Sequence, residues 1–332
     1  MSIVILVLRV IGAGVLCAGG YTLLTEQLAS WKGISFSRCI ELCSQQRRRC
    51  FRMGIVTSAF SGPSSSVVLT LSVVDSTRVL VRHIPWMFLG INLGSVFWAW
   101  IFALACCIPG LTGWALPLLA LTLLFSFSGR PGPAHLGDLL KGAALLLVGI
   151  GLLNESLPEG SFLGFLPEGI PVYLLGFLLG AAITMGIRSL PSALVLAMAL
   201  SCRGELNYPL GASLILGGMI GLSGIGCLAS AGLGRYAKSS ALFYLLMNII
   251  LSVWALLFMD SALWGFPSDP VVTPLILAGF YTLLQVIHPM VMSVLGGPVM
   301  RLAEFVLGRA AKEDETGGGR TGSHTLQHAR FS

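Results

Sequence analysis

The chain has 332 residues, 55% of them hydrophobic and 10% charged, and a mean hydropathy of +0.87. Soluble domains carry charge on about 25% of their residues, so a soluble globular protein is excluded and an integral membrane protein is indicated. The formal net charge of +6 does not point to nucleic acid, because the basic residues sit in short stretches between apolar runs, where they set topology.

Met1 to Leu24 is the first apolar segment. It lacks a basic start and carries Arg9 in its body, so it reads as a retained span and not a cleaved signal. Residues 26–52 form a polar loop with a short amphipathic helix, in which Lys32, Arg38, Arg47, Arg48, Arg49 and Arg52 outweigh Glu26 and Glu41. Arg47 to Arg49 suit anionic lipid headgroups. Cys39, Cys43 and Cys50 have no histidine nearby and do not show the spacing of a zinc site, so reduced thiols are expected. Residues 53–74 are interrupted by Gly62-Pro63, where proline removes a donor and breaks the helix; this is read as a re-entrant helical hairpin. Ile84 to Ile108 and Leu111 to Ser128 are spans joined at Pro109-Gly110.

Leu139 to Leu153 is the next span, followed by a loop with Glu155, Glu159 and Glu168 and no basic residue. Residues 171–201 are a second broken stretch, interrupted at Arg188-Ser-Leu-Pro191 and read as a second hairpin. Pro209 to Ala231, Ala241 to Phe258 and Val272 to Leu295 complete seven spans. Residues 297–332 are polar and glycine-rich and are expected to be a disordered cytoplasmic tail. With both broken stretches re-entrant, every strongly basic loop falls on one side. The positive-inside bias then puts the N-terminus outside and the C-terminus in the cytoplasm of a multi-pass protein of the inner membrane.

The two broken stretches repeat one another. Thr57 precedes Gly90 by the same 33 positions as Thr184 precedes Gly217, so 57–94 maps onto 184–221 at an offset of 127. The expected fold is all-α, an inverted repeat with two re-entrant hairpins: 1–128 as repeat 1, 129–260 as repeat 2, and 261–296 as an additional span. Inverted repeats are a common plan of secondary transporters.

Gly54-Ile-Val-Thr-Ser-Ala-Phe-Ser-Gly-Pro-Ser-Ser-Ser, followed by Gly90-Ile-Asn-Leu-Gly-Ser95, resembles the sodium/phosphate cotransporters of the type II kind, including their bacterial relatives. The resemblance covers most of residues 1 to 260. Each repeat of that family carries a Gln-Ser-Ser-Ser run in a broken hairpin and a Gly-Ala-Asn-Ile-Gly-Thr-Thr run opening the next span. By spacing, the family glutamine falls on Ser61 and on Arg188, and the serines fall on Gly62, Pro63 and Ser64 and on Ser189, Leu190 and Pro191. The second copy, Gly217-Gly-Met-Ile-Gly-Leu-Ser223, has Met219 in place of the asparagine. The resemblance implies sodium-coupled uptake of phosphate or a similar small anion by alternating access, with sodium as coupling ion and no other cofactor. Its implied partners are the anion, sodium and membrane lipid, and it admits a homodimer. The departures leave a second reading open, a non-transporting relative that binds partners or lipid.

The site chemistry follows from hairpin tips, which expose helix ends whose free N–H groups attract an anion. The candidate residues are Thr57, Ser61, Gly62, Ser64, Ser65, Ser66, Asn92, Ser95, Thr184, Arg188, Ser189 and Ser223. Ser64, Ser65 and Asn92 offer oxygens suited to sodium. The bland alternative is that each serine bonds back to its own helix and permits close packing. A charge such as Arg188 at membrane depth costs roughly 3 kcal/mol and marks a pathway, a pair or snorkelling; in a pathway its guanidinium would stand in for a bound cation. His288 beside Pro289, with Gln285, reads as packing before proton relay, and Asn248 as an interhelical hydrogen-bonding residue. Trp86, Trp98, Trp100 and Trp114 read as interface anchors and core. No metalloprotease motif, phosphate-binding glycine loop ending in Lys-Ser/Thr or paired intramembrane aspartates occur, so an enzyme is not expected.

Overall fold

The computed structural model describes residues 3–30, 36–43, 46–76, 83–108, 110–126, 131–156, 172–259 and 273–317, and these are helical with short connections. The helices are α1 (Ile3–Ser30), α2 (Phe36–Cys43), α3 (Arg47–Ser61), α4 (Pro63–Ser76), α5 (Ile84–Cys107), α6 (Ala115–Ser126), α7 (Pro131–Ser156), α8 (Val172–Ile187), α9 (Leu190–Cys202), α10 (Tyr208–Ser230), α11 (Arg235–Met259) and α12 (Thr273–Gly317); a 3₁₀ turn, Leu111–Trp114, precedes α6.

Five stretches are long and apolar enough to cross a membrane: Ile84–Cys107, His135–Leu153, Tyr208–Ser230, Arg235–Leu257 and Thr273–Val306. The protein is a multi-pass membrane protein. Large apolar side chains on the outside, among them Val15, Leu116, Leu124, Leu257 and Val294, make the wide apolar exterior that hydrocarbon requires and water would penalise.

Three expectations need correction. The segment Leu111 to Ser128 is not one span but the 3₁₀ turn and the 12-residue α6. At 1.5 Å per residue, α6 falls well short of the roughly 30 Å of a hydrocarbon core. The basic triplet Arg47–Arg49 is not loop but the first turn of α3, so the first limb of the broken stretch begins before residue 53. Finally, residues 297–317 are not a disordered tail. α12 continues through Gly296, Gly297 and Pro298 to Gly317, and Val299 and Ala303 are buried. Residues 318–332 lie outside the described residues, as does the side chain of Cys43. Cys39 and Cys50 are not in disulfides, and no cluster of metal-ligating side chains occurs among the described residues.

Both interruptions fall where the sequence places them. Gly62 alone separates α3 from α4, and Arg188 and Ser189 separate α8 from α9. Each pair is followed by a long helix that packs against its first limb: α5 lies along α3, and α10 along α8. Glycines let the backbones touch, as small residues do in membrane helix pairs. A methyl group on Gly54 would stand 2.3 Å from the Met87 carbonyl oxygen, and one on Gly180 1.9 Å from that of Leu214. Gly90 meets the Phe51 carbonyl as Gly217 meets that of Phe177, and Gly94 meets Ser58 as Gly221 meets Thr184.

These paired contacts correct the constant offset of 127. Met87, Gly90 and Gly94 lie 127 positions before Leu214, Gly217 and Gly221, but Phe51, Gly54 and Ser58 lie 126 before Phe177, Gly180 and Thr184. The extra residue is in the second break, which is two residues long where the first is one. Thr184 therefore matches Ser58, not Thr57, and Arg188 matches Gly62, not Ser61. The backbone agrees: Gly62 has φ +79° and Arg188 φ +58°, and Arg188 is the one non-glycine with positive φ among the described residues.

Adding a methyl at a backbone-to-backbone contact forces the helices apart. Gly217→Ala, where the new Cβ would stand 1.9 Å from the Phe177 oxygen, is expected to cost about 1–3 kcal/mol. Gly279→Ala, which meets no neighbour within 4 Å, is expected to cost nothing, and melting of the two purified variants in detergent checks the contrast.

Candidate functional site

At each break a helix ends, and its terminal backbone groups need partners. The two breaks supply one another: the N–H of Leu190, the first residue of α9, donates to Ser64 Oγ in the first turn of α4 at 3.3 Å. Within the second break, Ser189 N–H donates to the Thr184 carbonyl at 3.1 Å, and in the first, Ser66 N–H donates to the Gly62 carbonyl at 3.1 Å.

Where the breaks meet, an open cleft of about 580 Å³ is lined by Ser61, Ser64, Ser65, Val68, Leu69, Ser72, Arg188, Ile225 and Ala229. Four expected site residues, Ser61, Ser64, Ser65 and Arg188, share it. Arg188 is exposed, and its guanidinium has no hydrogen bond or ion pair among the described residues. The cleft thus offers a fixed positive charge and several hydroxyls, a set that suits a small anion with an accompanying cation.

Gly62 is at the break but does not line the cleft; it packs against Tyr21 of α1. A methyl there would stand 2.2 Å from the Tyr21 hydroxyl oxygen, and φ +79°, ψ +157° is a conformation essentially restricted to glycine. Tyr21 is held in turn by an edge-on contact with Trp98 at 4.8 Å between ring centroids. Trp98 Nε1 donates to the Ser58 carbonyl at 3.2 Å.

For some candidates the bland reading holds. Ser66 Oγ donates to the Gly62 carbonyl at 2.7 Å, and Thr57 Oγ1 to those of Met53 and Gly54 at 3.0 and 3.1 Å. The matched pair Ser58 and Thr184 behaves differently. Both hydroxyls are buried without a hydrogen-bond partner among the described residues, and so are those of Tyr21, Ser189 and Ser192. Ser58 and Thr184 each precede their break by four positions, Ser189 lies in the second break with Ser192 just after it, and Tyr21 packs against Gly62. Buried hydroxyls are ordinarily paired; these five, near the two breaks, are not, though none of them lines the cleft.

Asn92, Ser95 and Ser223 lie outside the cleft, in a buried network. Asn92 Nδ2 donates to Asn248 Oδ1 at 3.1 Å and faces His288 Nδ1 at 3.4 Å, while Asn92 Oδ1 accepts from the Tyr244 hydroxyl at 2.7 Å. Asn248 Nδ2 donates to Ser223 Oγ at 2.6 Å, and Ser95 Oγ and the Tyr281 hydroxyl are 2.6 Å apart. Gln285 Nε2 reaches Met219 Sδ at 3.5 Å. This network ties α5 and α10 to α11 and α12. With both ends of the Asn92 amide engaged, Asn92 does not join Ser64 and Ser65. Asn248 bonds between helices as expected, whereas His288 proves to be a network member. Tyr21, Tyr244 and Tyr281 were not singled out from the sequence; each lies in an apolar helix with no local signal of its partner. Of the tryptophans, Trp98 is buried core and Trp114 is exposed, Trp86 lies under the Arg47 guanidinium, and Trp100 Nε1 donates to Thr282 Oγ1.

The family model described as Na+/Pi-cotransporter matches residues 16–155. Over these residues, fewer than half of the chain, the sequence is similar to that family. It is a family of sodium-coupled transporters, and the matched part runs from α1 through the first broken stretch and α5 to the end of α7. The second broken stretch, with Arg188, lies beyond the match. No curated protein and no solved structure matches the chain at a significant level.

Two stability tests separate the roles of the break and the network. Gly62→Ala is expected to cost about 1–3 kcal/mol, whereas Arg188→Gly, which only relaxes a left-handed residue, is expected to leave the melting temperature unchanged or raise it. Asn92→Ala strands the Tyr244 hydroxyl and the Asn248 carbonyl oxygen, and an expected loss of about 1–3 kcal/mol per stranded group is read from the same melts.

Proposed function

We propose that the protein is a sodium-coupled carrier of phosphate or a similarly small anion, and that the cleft between the two helix breaks is its binding site. The observation that carries this reading is the meeting of the breaks: the Leu190 N–H bonded to Ser64, with Ser61, Ser65 and the unpaired Arg188 guanidinium around the same space. The anion takes the guanidinium and free N–H groups at the helix ends. Sodium takes hydroxyl oxygens of the cleft, those of Ser64 and Ser65 among them.

In this reading the two broken stretches are re-entrant hairpins of an inverted repeat, entering from opposite sides of the inner membrane. The N-terminus is outside and the C-terminus in the cytoplasm. The recurrence of the glycine contacts in α3–α5 and α8–α10 supports the repeat. Alternating access follows when one repeat rocks against the other around the cleft. The polar network around Asn92 fixes α5 and α10 to α11 and α12, so that the movement is concentrated in the broken stretches. Arg188 supplies in the second repeat a positive charge that needs no bound cation.

Uptake of radiolabelled phosphate into proteoliposomes tests this. An imposed inward sodium gradient is expected to drive uptake in the wild-type chain. Arg188→Gln is expected to raise KM for phosphate about tenfold or more, the worth of one charge-assisted hydrogen bond, and to make uptake more dependent on sodium. Uptake unchanged in Arg188→Gln would remove Arg188 from the site, and no sodium-driven uptake of phosphate or of other small anions by the folded wild-type chain would refute the carrier reading.

A further inference from the structure

A second cavity, of about 260 Å³, lies where the first turn of α3 meets α5, α11 and α12, and it shares no lining residue with the cleft. Its walls are apolar, formed by Trp86 and Leu89 of α5, Phe243 of α11, and Met292 and Met300 of α12. Arg47 is the one charged residue lining it. Its side chain is exposed, with the guanidinium carbon 5.9 Å from the centre of the Trp86 ring. The one hydroxyl there, Ser293 Oγ, already donates to the Met290 carbonyl at 2.6 Å. The cavity thus joins an apolar interior to a cationic edge.

α12 leaves this space open at two glycines. Gly296 and Gly297 both line it, and a Cβ on either would meet no atom within 4 Å. Met290 and Val294, largely exposed, precede Gly297 at the spacing of one helical stripe, so in a membrane protein hydrocarbon reaches the mouth of the cavity. The charge around that mouth is basic. Arg48 and Arg49 follow Arg47 on the exposed first turn of α3. Arg235 and Lys238 open α11, whose Ser239 hydroxyl lies 4.0 Å from Met300 Sδ, and Arg301 follows Met300. Among acidic residues at this end, Asp75 is engaged by the Gly234 N–H at 2.5 Å, and Glu304 stands one turn further along α12.

We propose that this cavity is a binding site for an anionic phospholipid, with the phosphate diester on Arg47 and one acyl chain between α5, α11 and α12. Basic pockets between membrane helices take anionic headgroups, and a guanidinium can bond two phosphate oxygens side by side. The space is smaller than the roughly 300–1,000 Å³ of pockets that enclose a whole drug-sized ligand; it takes one chain of a lipid and leaves the rest in the bilayer. A free phosphate ion gains nothing from the apolar walls and meets Arg47 in water, where a single exposed ion pair is worth little. The bound lipid spans α3 and α12. It therefore ties the first limb of the first broken stretch to the helix that carries Tyr281, Gln285 and His288.

The test measures lipid binding to the purified full-length protein by native mass spectrometry in detergent, with dioleoylphosphatidylglycerol and dioleoylphosphatidylcholine as probes that differ only in the headgroup. Phosphatidylglycerol is expected to bind about tenfold more tightly, the worth of one hydrogen bond to a charged group. Arg47→Gln is expected to remove that preference. Arg235→Gln, which lowers the net charge equally but does not line the cavity, is expected to keep it. Gly297→Leu, which fills the open space, is expected to weaken phosphatidylglycerol binding about tenfold through lost chain burial, and to leave the melting midpoint of the lipid-free protein unchanged or higher. Equal binding of the two lipids by the wild-type chain overturns the proposal, and so does an equal loss of preference in Arg47→Gln and Arg235→Gln, which marks a general basic surface. Displacement of the lipid by inorganic phosphate overturns it in favour of a free anion, and unchanged binding in Gly297→Leu overturns the seat of the acyl chain. None of these readouts requires transport, so a chain that moves no anion refutes the proposed function without bearing on the lipid site.

Discussion

A helix that stops leaves terminal backbone donors and acceptors that must find partners elsewhere in the protein or in solvent. Here two helices stop, at Gly62 and at Arg188-Ser189, and the second helix end finds its partner at the first, through the Leu190 N–H and Ser64 Oγ. The rest of the structure serves that meeting. α5 and α10 run as unbroken supports along α3 and α8, with glycines that allow the backbones to touch. Tyr21 and Trp98 back the first break from α1 and α5. The Asn92 network locks the two supports to α11 and α12.

The left-handed residues show how similar breaks are reached by different means. Gly62 adopts a backbone conformation that side chains avoid, and the space where its Cβ would stand is taken by Tyr21. Arg188 stands at the matching place with φ +58°, in the left-handed helical region that a non-glycine residue can occupy at modest cost. One break is thus closed by an aromatic ring and the other is open, with a long cationic side chain at its edge. The difference is one of chemistry as much as of shape: positive charge enters the cleft from the second stretch and hydroxyls largely from the first.

Much of this was legible in the sequence. Gly62-Pro63 and the Arg188-to-Pro191 run announced the interruptions, because proline cannot continue a helix from the preceding turn, and the apolar runs gave four of the long spans closely. The cleft residues Ser61, Ser64, Ser65 and Arg188 were legible from the same interruptions. The register of the repeat was not, since a constant offset fits the glycines of α5 and α10 equally well whether the second break holds one residue or two; only the contacts of Phe51, Gly54 and Ser58 against those of Phe177, Gly180 and Thr184 reveal the extra residue. Nor was the role of Asn92, whose partners Tyr244, Asn248 and His288 lie more than 150 positions away. The tail was misread because Gly296-Gly297-Pro298 suggests a stop, whereas burial of Val299 and Ala303 carries α12 through it.

The central claim is that Ser65 and Arg188, from different broken stretches, face one bound anion. The most direct measurement is the rate at which a charged thiol reagent modifies the thiol introduced by Ser65→Cys, with and without phosphate in sodium-containing buffer. Phosphate is predicted to slow that modification when Arg188 is present, and to have no effect when Ser65→Cys is combined with Arg188→Gln. A modification rate indifferent to phosphate in both backgrounds would contradict a shared anion site.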